Sequence, residues 1–299
     1  MKRAGRRFIK YLAVERNLST HTVKGYESDI KKFHEFICRK FGKDLLPGDI
    51  TKEMVQEFLK YLADYGYRKK NGSASRARRL TVLRTFFKFL YREGLVRNNP
   101  TAELSVPRKV TGEAVFLTED EYQRLFNAVD GFGNPFLEQR DKAILALFLT
   151  TGARLSELIN LNVGDLDLKL KRVKLMRKGG DNQSLPINGE VIGHLKSYLK
   201  LRRKRSHCRA FFVSVRGKRL DRSSVWQMVN RYSKKARIAK RGIGPHTLRH
   251  SFASTLLAKG QNLKTIQVLM NHKNMATTAR YLHARDQELV DAVATIKLG

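Results

Sequence analysis

The chain has 299 residues, 41% of them hydrophobic, and 60 lysines and arginines stand against 27 aspartates and glutamates, a formal net charge of +33. That length suggests two domains, and the hydrophobic share lets each bury a core, which excludes a disordered chain. So large a positive charge excludes an ordinary enzyme of small metabolites and points to a polyanionic partner.

The charge is spread along the whole sequence. Residues 1 to 110 carry 26 basic and 11 acidic side chains and the remainder 34 and 16, so the two parts stand at +15 and +18. A basic tail on a neutral enzyme would look different; two basic lobes suit a clamp around a duplex. A generally basic, solubilising surface is the bland alternative. The two cysteines, Cys38 and Cys208, are far apart and outside any short metal-ligand spacing, so no disulfide framework is expected and a reducing interior suits the chain. The basic N-terminus has its apolar stretch interrupted by Lys10, so no signal peptide is expected, and no uncharged apolar run reaches the ~20 residues that span a bilayer. The expectation is a soluble, cytoplasmic, nucleoid-associated protein with no membrane partner.

In chain order, the first hundred residues read as four helices. Leu12, Tyr26, Ile30, Phe33 and Ile37 recur at helical spacing, followed by Val55, Phe58, Leu59 and Leu62. A helix from about Ser73 to Glu93 interleaves Arg76, Arg78, Arg79, Arg84 and Lys88 with Leu80, Leu83, Phe86, Phe87 and Leu90, giving it a basic face and a core face. Beside it lies the basic stretch Arg68-Lys69-Lys70. A solvated surface is the usual meaning of such a run, but Arg68, Lys69, Lys70, Arg76, Arg79 and Arg84 are taken here as DNA-phosphate contacts. Gly94, Pro100 and Pro107 end the helical region, which sets the domains at 1–108, a linker at 109–115 and a second domain at 116–299.

Thr118 and Glu121 open the second domain as a capping box, and an apolar helix from Asp141 to Thr150 follows. Between Asp165 and Pro186, Val173-Lys-Leu175 and Ser184-Leu-Pro-Ile187 flank Arg-Lys-Gly-Gly-Asp-Asn, a small hairpin or three-stranded antiparallel sheet. Helices are expected from Val191 to the end, including one from Asn262 to Met270 with Asn271-His272 as its exit, and one from Thr277 carrying Tyr281. The fold class is therefore mainly α, two helical domains, the second with a small antiparallel sheet.

Five residues carry the chemistry: Arg154 in Thr-Gly-Ala-Arg-Leu-Ser-Glu-Leu, His246 and Arg249 in His-Thr-Leu-Arg-His, His272 in Leu-Met-Asn-His, and Tyr281 in Thr-Ala-Arg-Tyr-Leu. Two guanidiniums can hold the non-bridging oxygens of one phosphate, imidazoles can donate or move protons, and a phenol can attack phosphorus. Each has a plainer reading. Arg154 could pair with Glu157 or Asp165 at an interface, and Tyr281 could be a packing aromatic. His246 and His250 have the spacing of a zinc-binding helix, with His272 as a third ligand, but Thr247 stands where that pattern needs glutamate.

The ordered series of Arg154, Lys178, His246-x-x-Arg249, His272 and Tyr281 resembles the tyrosine recombinase, or phage integrase, family and its Xer-like members, over nearly the whole chain. The family's hairpin pattern is Gly-Lys-Gly-x-Lys-x-Arg-x-Val-Pro; here the stretch is Arg177-Lys178-Gly179-Gly180-Asp181-Asn182-Gln183-Ser184-Leu185-Pro186. Lys178, Gly179 and Pro186 match it. Its two later basic positions are Asp181 and Gln183 here, a departure from it. The resemblance implies an N-terminal helical, SAM-like core-binding domain and a C-terminal catalytic domain. It also implies a site-specific recombinase that cleaves double-stranded DNA through a 3′-phosphotyrosyl link, for Xer-like resolution or for integration and excision. Tyr281 is then the nucleophile, Lys178 the proton donor to the leaving oxygen, Arg154 and Arg249 the phosphate clamp, His246 a proton carrier and His272 a hydrogen-bond donor, with no metal or cofactor. The amphipathic tail with Leu289, Val290, Val293 and Ile296 would dock on a neighbouring protomer in a homo- or hetero-tetramer on two synapsed sites, with a paralogous recombinase or accessory activator as possible partners. A type IB topoisomerase-like nicking-closing enzyme, or a helix-turn-helix regulator without chemistry, is the alternative.

Overall fold

The computed structural model describes residues 1–42, 45–66, 71–105, 115–177, 182–240 and 242–271. Arg68, Lys69, Lys70, Lys178, His272 and Tyr281, the C-terminal tail, and all of the 109–115 linker but Val115 lie outside the described residues. The chain divides into two compact units, Met1–Gly112 and Glu113–Gly299.

The first unit is built from helices α1 (Lys2–Val14), α2 (Thr20–Phe41), α3 (Lys52–Asp64) and α4 (Ser73–Arg92), with a single 3-10 turn at Pro47–Asp49 before α3. Local chemistry fixes their ends. Ser19 Oγ accepts the Thr22 amide at 3.3 Å and Thr51 Oγ1 the Met54 amide at 3.4 Å, each satisfying an amide that has no partner inside the helix. The helical spacing read in the sequence delivers Phe33, Phe58, Phe86 and Phe87 to a common aromatic core that Phe8 of α1 joins, all fully buried. Their rings meet edge-on at 5.2 Å for Phe8 with Phe86 and 5.1 Å for Phe33 with Phe58, the arrangement the ring quadrupole favours.

The second unit begins with α5 (Glu119–Asn127), whose capping box is reciprocal: Glu121 N donates to Thr118 Oγ1 at 3.3 Å, and Thr118 N to Glu121 Oε2 at 2.8 Å. Next comes α6 (Pro135–Thr151), which is buried without a break from Ala143 to Leu149. A helix apolar all round belongs at the centre of a domain, and α6 packs on α8 (Gly189–Arg203) and α10 (Pro245–Ala258). The short α7 (Leu155–Asn160) leads to the sheet β1 (Leu166–Asp167), β2 (Arg172–Met176), β3 (Asn182–Pro186), antiparallel in that order, with Val173 opposite Leu185 and Leu175 opposite Gln183. Val173, Leu175 and Leu185 face the core while Arg172, Lys174 and Met176 are exposed, the period-two pattern of a half-buried sheet. Helices α9 (Arg222–Lys235) and α11 (Leu263–Met270) complete the described unit.

The helical expectation from Val191 onward needs one correction. Between α8 and α9 the chain is irregular, with isolated bridges Asn162↔Ala210 and Val213↔Arg219. The physical cause is the Phe211-Phe212-Val213 run, which is fully or almost fully buried, and the buried Arg202, whose Nε donates to Ala210 O just before the run at 3.1 Å and to Phe211 O within it at 3.0 Å. Among the described residues no helix is long and apolar enough to cross a membrane.

Candidate active site

Arg154 is the N-cap of α7, reached from α6 through Gly152. Gly152 has φ +58, a left-handed conformation, and a Cβ there would stand 2.4 Å from Phe252 Cδ1. Only glycine combines that turn with that close approach. The turn aims the Gly152 carbonyl at Arg249 Nη1, which donates to it. Gly152→Ala should therefore destabilise the unit by about 1–3 kcal/mol from overpacking alone, and by more with the backbone strain. Chemical denaturation checks this; a wild-type midpoint would refute the requirement.

The side chains of this turn converge on the end of α11. Arg249 Nη2 donates to Met270 O at 2.6 Å, and Arg154 Nη2 donates to Asn271 O at 3.1 Å. Arg177 Nη2 donates to Leu269 O at 3.1 Å, and Gln183 Nε2 to Val268 O at 2.8 Å. The carbonyls of a helix's last turn lack partners inside the helix and carry the negative end of its dipole. Three such carbonyls, Leu269 to Asn271, are met here by three guanidiniums, and Val268 O, which also accepts the Asn271 amide, by the Gln183 side chain. Asn271, at φ 47, caps α11 in the left-handed conformation that asparagine tolerates, and it is followed directly in the chain by His272.

Glu157 organises the cations. It is 4% exposed, its Oε1 receives Arg154 Nη1 at 2.8 Å, and its Oε2 receives the Arg154 amide at 2.8 Å as well as Arg177 Nη1. One carboxylate is thus shared by two guanidiniums, and the local balance stays positive. Burial pulls the Arg177 pKa down from its ordinary value while Glu157 opposes the fall. The Arg154 side chain keeps about a third of its surface open, at 32%.

The site residues expected from sequence thus differ in what the structure says of them. Arg154 and Arg249 are brought together at the end of α11. The pairing of Arg154 with Glu157, read from the sequence as a rival explanation, is present; Arg154 meets Asn271 O as well. His246 is the second residue of α10 and is exposed, whereas Arg249, one turn later, is 6% exposed. The unit's only described tryptophan, Trp226, lies so close to Gly244 that a Cβ there would be 2.9 Å from its Nε1, which places an indole at the start of the helix that carries His246. Among the described residues no group of three His, Cys, Asp or Glu is placed to hold a metal. Glu157 and Gln183 were not singled out as site residues, nor was Arg177; the signal available for two of them was that Arg177 and Gln183 both depart from the hairpin pattern.

In the first unit, the basic face of α4 is partly turned inward. Arg79 is held by Asn71 Oδ1 and lies 3.5 Å from the buried carboxylate of Asp29, which also pairs with Arg78 at 2.5 Å. Arg84 donates to Leu104 O, and Arg76 is half-buried. The contacts of Arg79 and Arg84 brace the unit internally.

Comparison with known proteins shows the family. The phage integrase family profile matches residues 115–288, and that of its N-terminal SAM-like domain matches residues 6–94. The chain belongs to the phage integrase family. It is 34% identical over 295 residues to the tyrosine recombinase XerC of Natranaerobius thermophilus, covering 95% of each chain. It is also 34% identical over 299 residues to the tyrosine recombinase XerD of Bifidobacterium longum, covering 96% of this chain and 94% of that one. Among solved structures, the XerH site-specific recombinase bound to palindromic difH substrate in a post-cleavage complex superposes with a TM-score of 0.76 at 21% identity, over 94% of this chain and 81% of that one, which shows the shared fold. The chain is accordingly an enzyme of the tyrosine recombinase type, with the mainly helical two-unit fold of that family.

Proposed function

We propose that this tyrosine recombinase cleaves and rejoins double-stranded DNA through a 3′-phosphotyrosyl intermediate. The convergence of Arg154 and Arg249 on neighbouring carbonyls, Asn271 O and Met270 O, carries the reading. Two guanidiniums held on adjacent backbone atoms can close on the two non-bridging oxygens of one phosphate, and the residue that follows them in the chain is His272.

The Tyr281 hydroxyl attacks phosphorus, forming a bond from its oxygen to phosphorus as the bond to the 5′ oxygen breaks. His246 takes the phenol proton and Lys178 gives a proton to the departing 5′ oxygen, which leaves as a hydroxyl. Arg154 and Arg249 neutralise the charge that builds on the phosphoryl oxygens, and His272 donates a hydrogen bond to one of them. Attack by a 5′ hydroxyl from another strand runs the same steps backward, so the link to Tyr281 conserves the phosphodiester bond. The two strongly basic parts of the chain hold the duplex through its phosphates, with Arg68, Lys69, Lys70, Arg76, Arg79 and Arg84 the contact candidates in the first unit. Two such domains, a linker between them, and a C-terminal tail docking on a neighbouring protomer fit exchange between two sites in a tetramer. The likeness to XerC and XerD supports resolution of this kind.

The test is a duplex nicked near a site recovered by selecting bound DNA, incubated with wild-type and Tyr281→Phe protein in EDTA and resolved on a denaturing gel. A covalent protein-DNA band from the wild type alone is the expected result. Covalent product that relaxes supercoils without recombinants would move the reading to a nicking-closing enzyme; binding with no covalent band from either protein would make it a regulator.

A further inference from the structure

We propose that Arg177 is a positioning residue that locks the β2–β3 hairpin to both arms of the phosphate clamp, in the place where the family pattern puts an arginine on the opposite strand. The inference rests on the strand-cleavage reading given above. Arg177 immediately follows β2 and is 2% exposed. Its three nitrogens go to three different elements: Nε to Gln183 Oε1 on β3 at 2.8 Å, Nη1 to Glu157 on α7, and Nη2 to Leu269 O on α11 at 3.1 Å. Through Glu157 it fixes Arg154, which shares that carboxylate. Through Leu269 it fixes the turn of α11 whose next two carbonyls hold Arg249 and Arg154 and whose chain continues into His272. It also precedes Lys178 directly, so the base of the hairpin that carries the proton donor is tied down at the same point.

A lone guanidinium this deep is costly unless all of its donors are used, and a structural role alone would be served as well by an apolar residue and a neutral partner for Glu157. What argues for positioning is the pair of departures. The family pattern has glycine at the position of Arg177 and arginine at that of Gln183; here the arginine stands on the β2 side and an amide takes its place on β3. Gln183 reaches Arg177 Nε with its oxygen and Val268 O with its nitrogen, so its side chain already points to the space the guanidinium fills. An arginine at 183, starting from the same Cα and longer, would reach Glu157 and α11 if Arg177 were glycine.

The experiment compares wild type, Arg177→Met, Gln183→Ala, and the exchange variant Arg177→Gly with Gln183→Arg. Three quantities are read on the full chain: affinity for uncut duplex, single-turnover rate of covalent complex formation at saturating nicked duplex, and amide hydrogen exchange of α11 without DNA. Arg177→Met should bind uncut duplex as the wild type does, cleave ~10²-fold more slowly, the cost of a misplaced catalytic group, and exchange faster across Leu263–Met270. Gln183→Ala, which leaves no charge unpaired, should shift all three in the same sense by less. The exchange variant should regain most of the cleavage rate and the slow exchange. Arg177→Met that cleaves at the wild-type rate with unchanged exchange overturns the proposal. So does an exchange variant that recovers thermal stability without recovering rate, because that pattern belongs to a purely structural residue. If the wild type itself forms no covalent product, the cleavage reading fails separately, and the hydrogen exchange of α11 still decides whether Arg177 makes the lock.

Discussion

Lysine in place of Arg249 should lower the rate of covalent complex formation by ~10²–10³-fold, the range seen when one donor to a developing oxyanion is removed. The size of the effect follows from what the guanidinium does before any phosphate arrives. Its Nη1 holds the Gly152 carbonyl and its Nη2 the Met270 carbonyl, so one planar group joins the turn before Arg154 to the end of α11. An ammonium is a single point of charge on a flexible stem and cannot bridge both carbonyls while also presenting a flat pair of donors to phosphate. At 6% exposure there is also little water to take over a carbonyl that the lysine releases. Arg154→Lys should fall in the same range, because Arg154 likewise splits its terminal nitrogens between Glu157 and Asn271 O. Duplex affinity should change much less, since both substitutions keep the charge. Single-turnover cleavage on the nicked duplex is the measurement, and a lysine variant within a few-fold of wild type would remove the clamp from the mechanism.

How far the sequence leads can be seen at these same residues. Periodicity and capping chemistry place α4 and α5 closely, because a helix's ends and faces are set by neighbours in sequence: Thr118 and Glu121 are three residues apart, and the core positions of α4 repeat each turn. The exit of α11 at Asn271 could be read for the same reason. The partners of the clamp could not. Arg154 and Asn271 are 117 positions apart, Arg177 and Leu269 92, and Gln183 and Val268 85. No local pattern says which orphan carbonyl a long side chain will find. His246 and Arg249, three apart on α10, are set apart by a tertiary effect of this sort: His246 sits exposed in the first turn of α10 while Arg249 is buried against the end of α11. On α4 the helical spacing marks a basic face, yet the buried Asp29 of α2 calls Arg78 and Arg79 into ion pairs that spacing within α4 cannot reveal. The residue types in order carry the expectation of the site's chemistry, and the structure adds the scaffold that holds two of them, Arg154 and Arg249.

Away from the clamp, the largest stability effect is expected at Asp141. This carboxylate on α6 is fully buried, receives Arg140 Nε at 2.8 Å and Nη2 at 2.7 Å, and accepts the Tyr232 hydroxyl of α9 at 2.8 Å, with Arg231 Nη2 at 3.4 Å. Asp141→Ala leaves the Arg140 guanidinium, itself 7% exposed, and the buried Tyr232 hydroxyl without their common acceptor. Breaking a buried pair from one side costs about 3–5 kcal/mol, a large part of the ~5–15 kcal/mol that holds a typical domain folded. Asp141→Asn separates the two components of that cost. Burial pushes the Asp141 carboxyl above the usual carboxylate range even though the arginines oppose it, so the site strains against the charge it holds. An asparagine keeps an acceptor oxygen for Arg140 or Tyr232 and drops the charge, and should lose clearly less than alanine. The chain's single tryptophan, Trp226, lies in the same unit, so its fluorescence follows the unfolding of that unit in denaturant. A midpoint for Asp141→Ala equal to that of the wild type would show that α6 and α9 are joined by their apolar contacts alone; equal losses for alanine and asparagine would show that the charge itself, and not the acceptor geometry, is what the cluster needs.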